Sequence, residues 1–372
     1  MVTFLETTGA VEALEHILAT VQDQPDVAGI MILAADGNGF TPDGLNPILR
    51  QMAKPVFGAI FPAIIHAGQT HTLGTLVVGL PRAPRVVTIR NLSTSAAQLV
   101  DHLWELGEID GETCTAFMWL DSLAQAADIL LDAFYNQFGP AARVLGGGAG
   151  SLDMVQKPCV MSNAGLFADA AVLAAIDLPA GIAARHGWVK LAGPYHVTES
   201  EKNVIHSLNW RPAAAVYNAV IASASGETPH PDRFYELSRN FPFGMQRYGV
   251  ERIVRDPFLV DGDSLICVGD VPQGSLVDIL TGSRESLLIA ADEALMIAES
   301  RLASDRRTRT LFLVDCISRM MFMGEQFAGE LSLLTIPGAE MIGVLTLGEI
   351  AGTGRDYPVF YNKTAVVGVF DQ

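Results

Sequence analysis

Apolar positions along the chain fall into two spacings that alternate. Short apolar runs at residues 2–5, 74–79, 117–120 and 311–314 have the length and content of buried strands. Stretches at 10–14, 93–106 and 283–302 carry apolar residues at helical spacing, the last two behind a Ser/Thr cap. Strands alternating with helices predict an α/β fold. The run at 311–314 ends in Asp315 and then switches to helical spacing, so Cys316 and Arg319 are expected at a strand-to-helix junction, where α/β proteins place their chemistry. Residues 164–184 form the most membrane-like window, but Asp169, Asp177 and Pro179 interrupt it, and a pair of buried strands fits better.

The same order of features recurs at an offset of about 200 residues, which suggests an internal duplication. Residues 2–5 and the helix after them correspond to 204–208 and the helix at 212–217. The strand at 74–79 corresponds to 263–269, the helix at 93–106 to 283–302, and the strand 117–122 to 311–316. Last, 145–150 followed by Asp153 and 158–163 parallels 347–352 followed by Asp356 and 358–362. Two similar α/β halves, residues 1–185 and 186–372, are therefore expected to pack about a pseudo-twofold axis with a ligand cleft between them.

Composition narrows the function. With 372 residues, 49% hydrophobic and 17% charged, the chain is globular and long enough for two domains. A net charge of -17 repels phosphate backbones and anionic lipid, so neither nucleic acid nor membrane is an expected partner. The one basic cluster, 301–309, is diluted by Asp305 and reads as a solvated loop. Four scattered cysteines without a CxxC pair, and a start with no basic leader segment, fit free thiols in a reducing cytoplasm. The eight histidines show no metal spacing: His66 and His71 are five apart across Gly68, and His186 and His196 ten apart.

Several motifs together are similar to the FIST family, in order over nearly the whole chain. They are GGGAG at 146–150, GWVKLAGPYHVTES at 187–200, RPAAAVY at 211–217, DCISR at 315–319, LGEIAG at 347–352 and YNKT at 361–364. The resemblance implies a bacterial intracellular sensory protein with an N-terminal and a C-terminal FIST half. It further implies a small ligand such as an amino acid, and a histidine kinase, cyclic-dinucleotide enzyme or chemoreceptor as a separate output protein. It also admits haem as a cofactor, which needs only one axial ligand.

Under that reading, a small anionic or zwitterionic molecule is expected near Asp121, Gly147, Gly148, Cys316, Arg319, Glu349, Tyr361 and Asn362. Arg319 either binds a ligand carboxylate bidentately or forms a salt bridge to Glu349 or Glu330. Gly146 to Gly150 lacks the Lys-Ser/Thr of a P-loop, so close backbone packing is favoured over a phosphate cradle. Cys316 at a helix start is the one candidate nucleophile, but no histidine follows it in the chain to act as base. Glu349 stands where the first half has glycine, an asymmetry that suits a single ligand. A binding protein is thus preferred to a cysteine-dependent enzyme.

Overall fold

The computed structural model describes residues 1–93, 102–247, 251–302 and 309–371. Its first unit contains β1 (Val2–Glu6), α1 (Val11–Gln22), β2 (Gly29–Ala35), α2 (Pro42–Gln51), β3 (Val56–Phe61), the hairpin β4 (Ala63–His66) and β5 (Gln69–His71), and β6 (Thr75–Leu80). The second contains β7 (Arg85–Arg90), β8 (Thr115–Asp121), α3 (Ala127–Phe138), β9 (Arg143–Ala149), the hairpin β10 (Val160–Ser162) and β11 (Gly165–Phe167), and β12 (Ala170–Ile176). The helix expected at 93–106 lies largely outside the described residues. The third unit begins with β13 (Ala180–Arg185) and is then interrupted.

The interruption contains β14 (Val189–Glu201), β15 (Val204–Leu208), β16 (Arg211–Pro212), α4 (Ala213–Ser225), α5 (Phe234–Ser238), β17 (Phe243–Met245), β18 (Ile253–Asp261), β19 (Ser264–Val268) and β20 (Leu276–Thr281). Strand β14 pairs with both β20 and β15, which closes these strands into a barrel with β16 attached. The third unit resumes with α6 (Arg284–Ser300), β21 (Arg309–Cys316), α7 (Ile317–Met323), α8 (Phe327–Leu333), β22 (Glu340–Thr346), the hairpin β23 (Glu349–Thr353) and β24 (Val359–Tyr361), and β25 (Ala365–Asp371).

The three units build three sheets of one topology: β11-β10-β3-β2-β6-β1, β24-β23-β9-β8-β12-β7 and β5-β4-β22-β21-β25-β13. In each, a parallel pair joined through helix lies at the centre (β2 with β3, β8 with β9, β21 with β22), flanked by antiparallel strands. Each hairpin leaves its own unit. The first unit's hairpin joins the third sheet (Ala63 opposite Leu345), the second unit's joins the first (Val160 opposite Ala59), and the third unit's joins the second (Glu349 opposite Gly147). The exchange is cyclic.

This arrangement corrects the expected two halves about a pseudo-twofold axis. Residues 117–122 and 311–316 are equivalent, both being central strands. Residues 145–150 and 347–352 are not: β9 and β23 are hydrogen-bonded neighbours, and the equivalent of β9 is β22. Residues 2–5 form the edge of a sheet, whereas 204–208 belong to the barrel. The division at 185/186 falls between β13 and β14, and strands from both sides of it share sheets.

Strand alternation explains how the sheets meet. On β8, Phe117 and Trp119 face a core shared by all three sheets, while Met118 and Leu120 face Leu130, Leu131 and Phe134 of α3. On β21, Phe312 and Val314 take the shared side, and Leu311 and Leu313 meet Leu287, Ala291 and Leu295 of α6. Phe117 sits 5.8 Å from Phe57, 5.4 Å from Phe312 and 5.5 Å from Phe370, one ring or more from each sheet. Helix α6 begins at the expected cap, where Ser283 and Ser286 close a capping box. The window 164–184 folds as strands, as expected, with β12 fully buried.

Candidate functional site

A cleft of about 890 Å³ opens between the barrel and the sheets. Arg185 closes β13, Arg247 follows β17, Arg301 follows α6, and Thr353, Tyr357 and Tyr361 come from the β23–β24 region. Arg185 is held by Glu251 at 3.3 Å and Glu293 at 3.8 Å. Arg301 donates to the Ile182 carbonyl oxygen. Burial lowers its pKa, and the like charges of Arg355, Arg185 and Arg143 add to that. Arg247 is exposed and has no hydrogen bond or ion pair among the described residues. The Thr353 hydroxyl is buried without a partner among the described residues. Arg301 thus corrects the solvated-loop reading at its own position; residues 303–308 of that cluster lie outside the described ones.

On β23 the residues Glu349, Ala351 and Thr353 share one face, and Glu349 stands opposite Tyr361 of β24. Ala351, Thr353 and Tyr361 line the cleft, while Glu349, at the inner end of the row, is fully buried. Its carboxylate accepts from the Thr346 hydroxyl at 2.8 Å, the Thr364 backbone N–H at 3.3 Å and the Cys316 thiol. Burial outweighs these donors and pushes its pKa up to about 8. Burial likewise holds the Cys316 thiol well above its ordinary value, and Glu349 adds to the effect, although the Lys363 backbone N–H points at the sulfur.

Beyond Cys316, Lys363 lies 3.0 Å from Asp256, both buried. The same Asp256 oxygen accepts from Tyr235 at 3.0 Å and Ser318 at 3.1 Å, and the Lys363 ammonium sits 5.4 Å from the Trp188 ring centroid. Lys363 occupies a left-handed backbone conformation, φ 52°, which turns it inward from the YNKT segment.

The residues singled out in the sequence do not converge on the cleft. Tyr361 lines it, with its phenol pushed up to about 12 by burial. Arg319 is fully buried between Asp315 at 3.0 Å and Glu330 at 2.6 Å, and donates to the carbonyls of His186 and Leu287, so it takes the salt-bridge role with Glu330 rather than Glu349. Asp121 is occupied by Gln156, the Asp169 N–H and the Leu123 N–H. Gly147 and Gly148 are packed closely: a Cβ on Gly147 would stand 2.8 Å from Thr346, and one on Gly148 2.1 Å from the Ser122 hydroxyl. Asn362 is buried, and its side-chain oxygen has no hydrogen-bond partner among the described residues.

Neither alternative chemistry fits these surroundings. Cys316 is buried and its neighbouring carboxylate opposes a thiolate. Among the described residues the cleft lining offers haem iron the phenols of Tyr357 and Tyr361, and burial raises both. Sequence reasoning passed over Arg185, Arg247, Glu251, Lys363 and Asp256. Of these only Lys363, a charge between apolar strands, stood out locally.

The fold and cleft define a mixed α/β protein of repeated sheet units carrying a barrel. Residues 30–211 match the FIST N domain and residues 213–352 the FIST C domain, and the chain belongs to the FIST family, whose domains are associated with sensing in signal transduction. The two matched segments meet between β16 and α4, within the barrel. No curated protein matches the chain. Among the described residues, no helix is long and apolar enough to cross a membrane.

Proposed function

We propose that this chain is a non-catalytic sensor that binds a small anionic molecule in the cleft between barrel and sheets and passes the signal to a separate output protein. The observation that carries this reading is the convergence of Arg185, Arg247 and Arg301 on one cleft of a chain whose net charge is -17. Guanidinium groups held near one another against their mutual repulsion suit a carboxylate or phosphate, which they bind through paired N–H donors. Arg185 and Arg301 belong to the third unit, at the ends of β13 and α6, and Arg247 to the barrel. A ligand touching both bodies favours one relative placement, which is the differential contact a sensor needs.

The reading is tested by thermal unfolding against a panel of organic acids, amino acids and phosphates. A binding member at 100 times its Kd stabilises the fold by about 2.7 kcal/mol. Arg247→Ala should abolish that rise while leaving the unliganded melting temperature unchanged, because Arg247 is exposed and has no partner among the described residues. A panel without any stabilising member, or a rise indifferent to Arg247, refutes it.

A further inference from the structure

We propose that the cleft is built for a nucleoside phosphate rather than for an amino acid or a small dicarboxylate; this rests on the sensor reading above and names its ligand class. Three features separate the candidates. The first is size. A volume of about 890 Å³ stands near the top of the range, roughly 300–1,000 Å³, that encloses ligands as large as drugs. An amino acid would leave most of it to water.

The second is the placement of charge. A zwitterion needs a carboxylate for its ammonium group, and the lining has two against three arginines. Glu251 is engaged by Arg185 at 3.3 Å and lies 3.2 Å from His186, while Asp356 is exposed. The balance is cationic: Arg247 has no partner among the described residues, and Arg301 spends one N–H on a carbonyl oxygen and feels the charges of three other arginines as well as that of Asp356. Such a surplus suits a phosphate, whose oxygens accept several charge-assisted hydrogen bonds at once.

The third is the rest of the wall. Ala184, Ile253, Ala351 and Val359 form an apolar floor beside the Tyr361 ring, which suits the face of a planar base. The Thr353 hydroxyl, buried and without a partner among the described residues, offers a donor or acceptor to a polar edge of that base once its side chain rotates toward the cleft. A ligand carrying charge alone would leave both the floor and this hydroxyl unused.

Isothermal titration of the full chain with ADP, adenosine, pyrophosphate, L-glutamate and succinate at one fixed ionic strength tests the proposal. ADP should bind at least tenfold more tightly than adenosine and than pyrophosphate. Arg247→Ala should weaken ADP at least tenfold and leave adenosine unchanged, and Thr353→Val should weaken ADP and adenosine alike but not pyrophosphate. Pyrophosphate binding as tightly as ADP would overturn the proposal, since the site would then read charge alone. Glutamate or succinate binding in an Arg247-dependent way, with ADP inert, would overturn it and leave the sensor reading standing. No binding by any of the five, with no stabilising member in the wider panel, would end both.

Discussion

Glu349 faces Tyr361 across two hydrogen-bonded strands, so that one residue lines the cleft while its partner is fully buried beside Cys316. The carboxyl titrates near 8 in the folded chain and near 4.5 when unfolded, because burial penalises its charge. Between those values the folded state holds more protons than the unfolded one, so stability falls as pH rises. His186 acts in the opposite sense, since burial lowers it to about 3 and the unfolded chain binds its proton below about 6.5. Between pH 6.5 and 8 Glu349 does not act alone: burial also raises the Asp315 carboxyl, with the same sign, and lowers the Met1 ammonium, with the opposite one. Urea unfolding across this window should show that Glu349→Gln makes the slope of stability against pH less negative by about 1 kcal/mol per pH unit. An unchanged slope in the variant would refute the assignment.

All four cysteines are buried free thiols, and burial raises each of them: Cys114 to about 11, and Cys159, Cys267 and Cys316 well above the ordinary thiol value. The native chain should therefore react with a disulfide reagent far more slowly than free cysteine at pH 8, and yield four equivalents once unfolded. One fast equivalent in the native state, lost in Cys316→Ala, would restore the case for thiol chemistry.

Arg319 holds Asp315 and Glu330 in a fully buried triad. Removing the cation leaves two carboxyls without a counter-charge, so Arg319→Met should cost about 3–5 kcal/mol in equilibrium unfolding. Replacing all three by apolar residues of similar volume should recover much of that loss. A ligand-binding role predicts the reverse pattern, with stability kept and binding lost.

The individual strands were legible because buried runs such as 117–120 and 311–314 are bounded by clear changes of spacing. Their assembly was not. Nothing in local periodicity records that Ala63 pairs with Leu345 or Val160 with Ala59, and the barrel at 189–281 separates β13 from the unit it completes. The exchange of hairpins placed the similar loops at 145–150 and 347–352 side by side, where similarity alone suggested equivalence. The cleft was hidden for a related reason: Arg185, Arg247 and Arg301 lie far apart in the chain, and each by itself resembles an ordinary surface charge. Arg319, the most conspicuous arginine in the sequence, is held by its own neighbours.

Gly148 and Ser122 offer a test of the packing where the second and third units meet. The Ser122 hydroxyl is buried without a hydrogen-bond partner among the described residues, and a Cβ on Gly148 would come within 2.1 Å of it and 3.0 Å of the Leu347 carbonyl. Gly148→Ala should therefore destabilise by about 1–3 kcal/mol through overpacking. Ser122→Ala alone should be neutral or stabilising, because it removes an unsatisfied polar atom. Combined, the two should recover part of the loss, since the nearest remaining side-chain atom, the Ser122 Cβ, lies at 3.2 Å. A double-mutant cycle by urea unfolding measures this coupling. Strict additivity would mean that Gly148 is required by the Leu347 backbone or by its own strand geometry and not by Ser122.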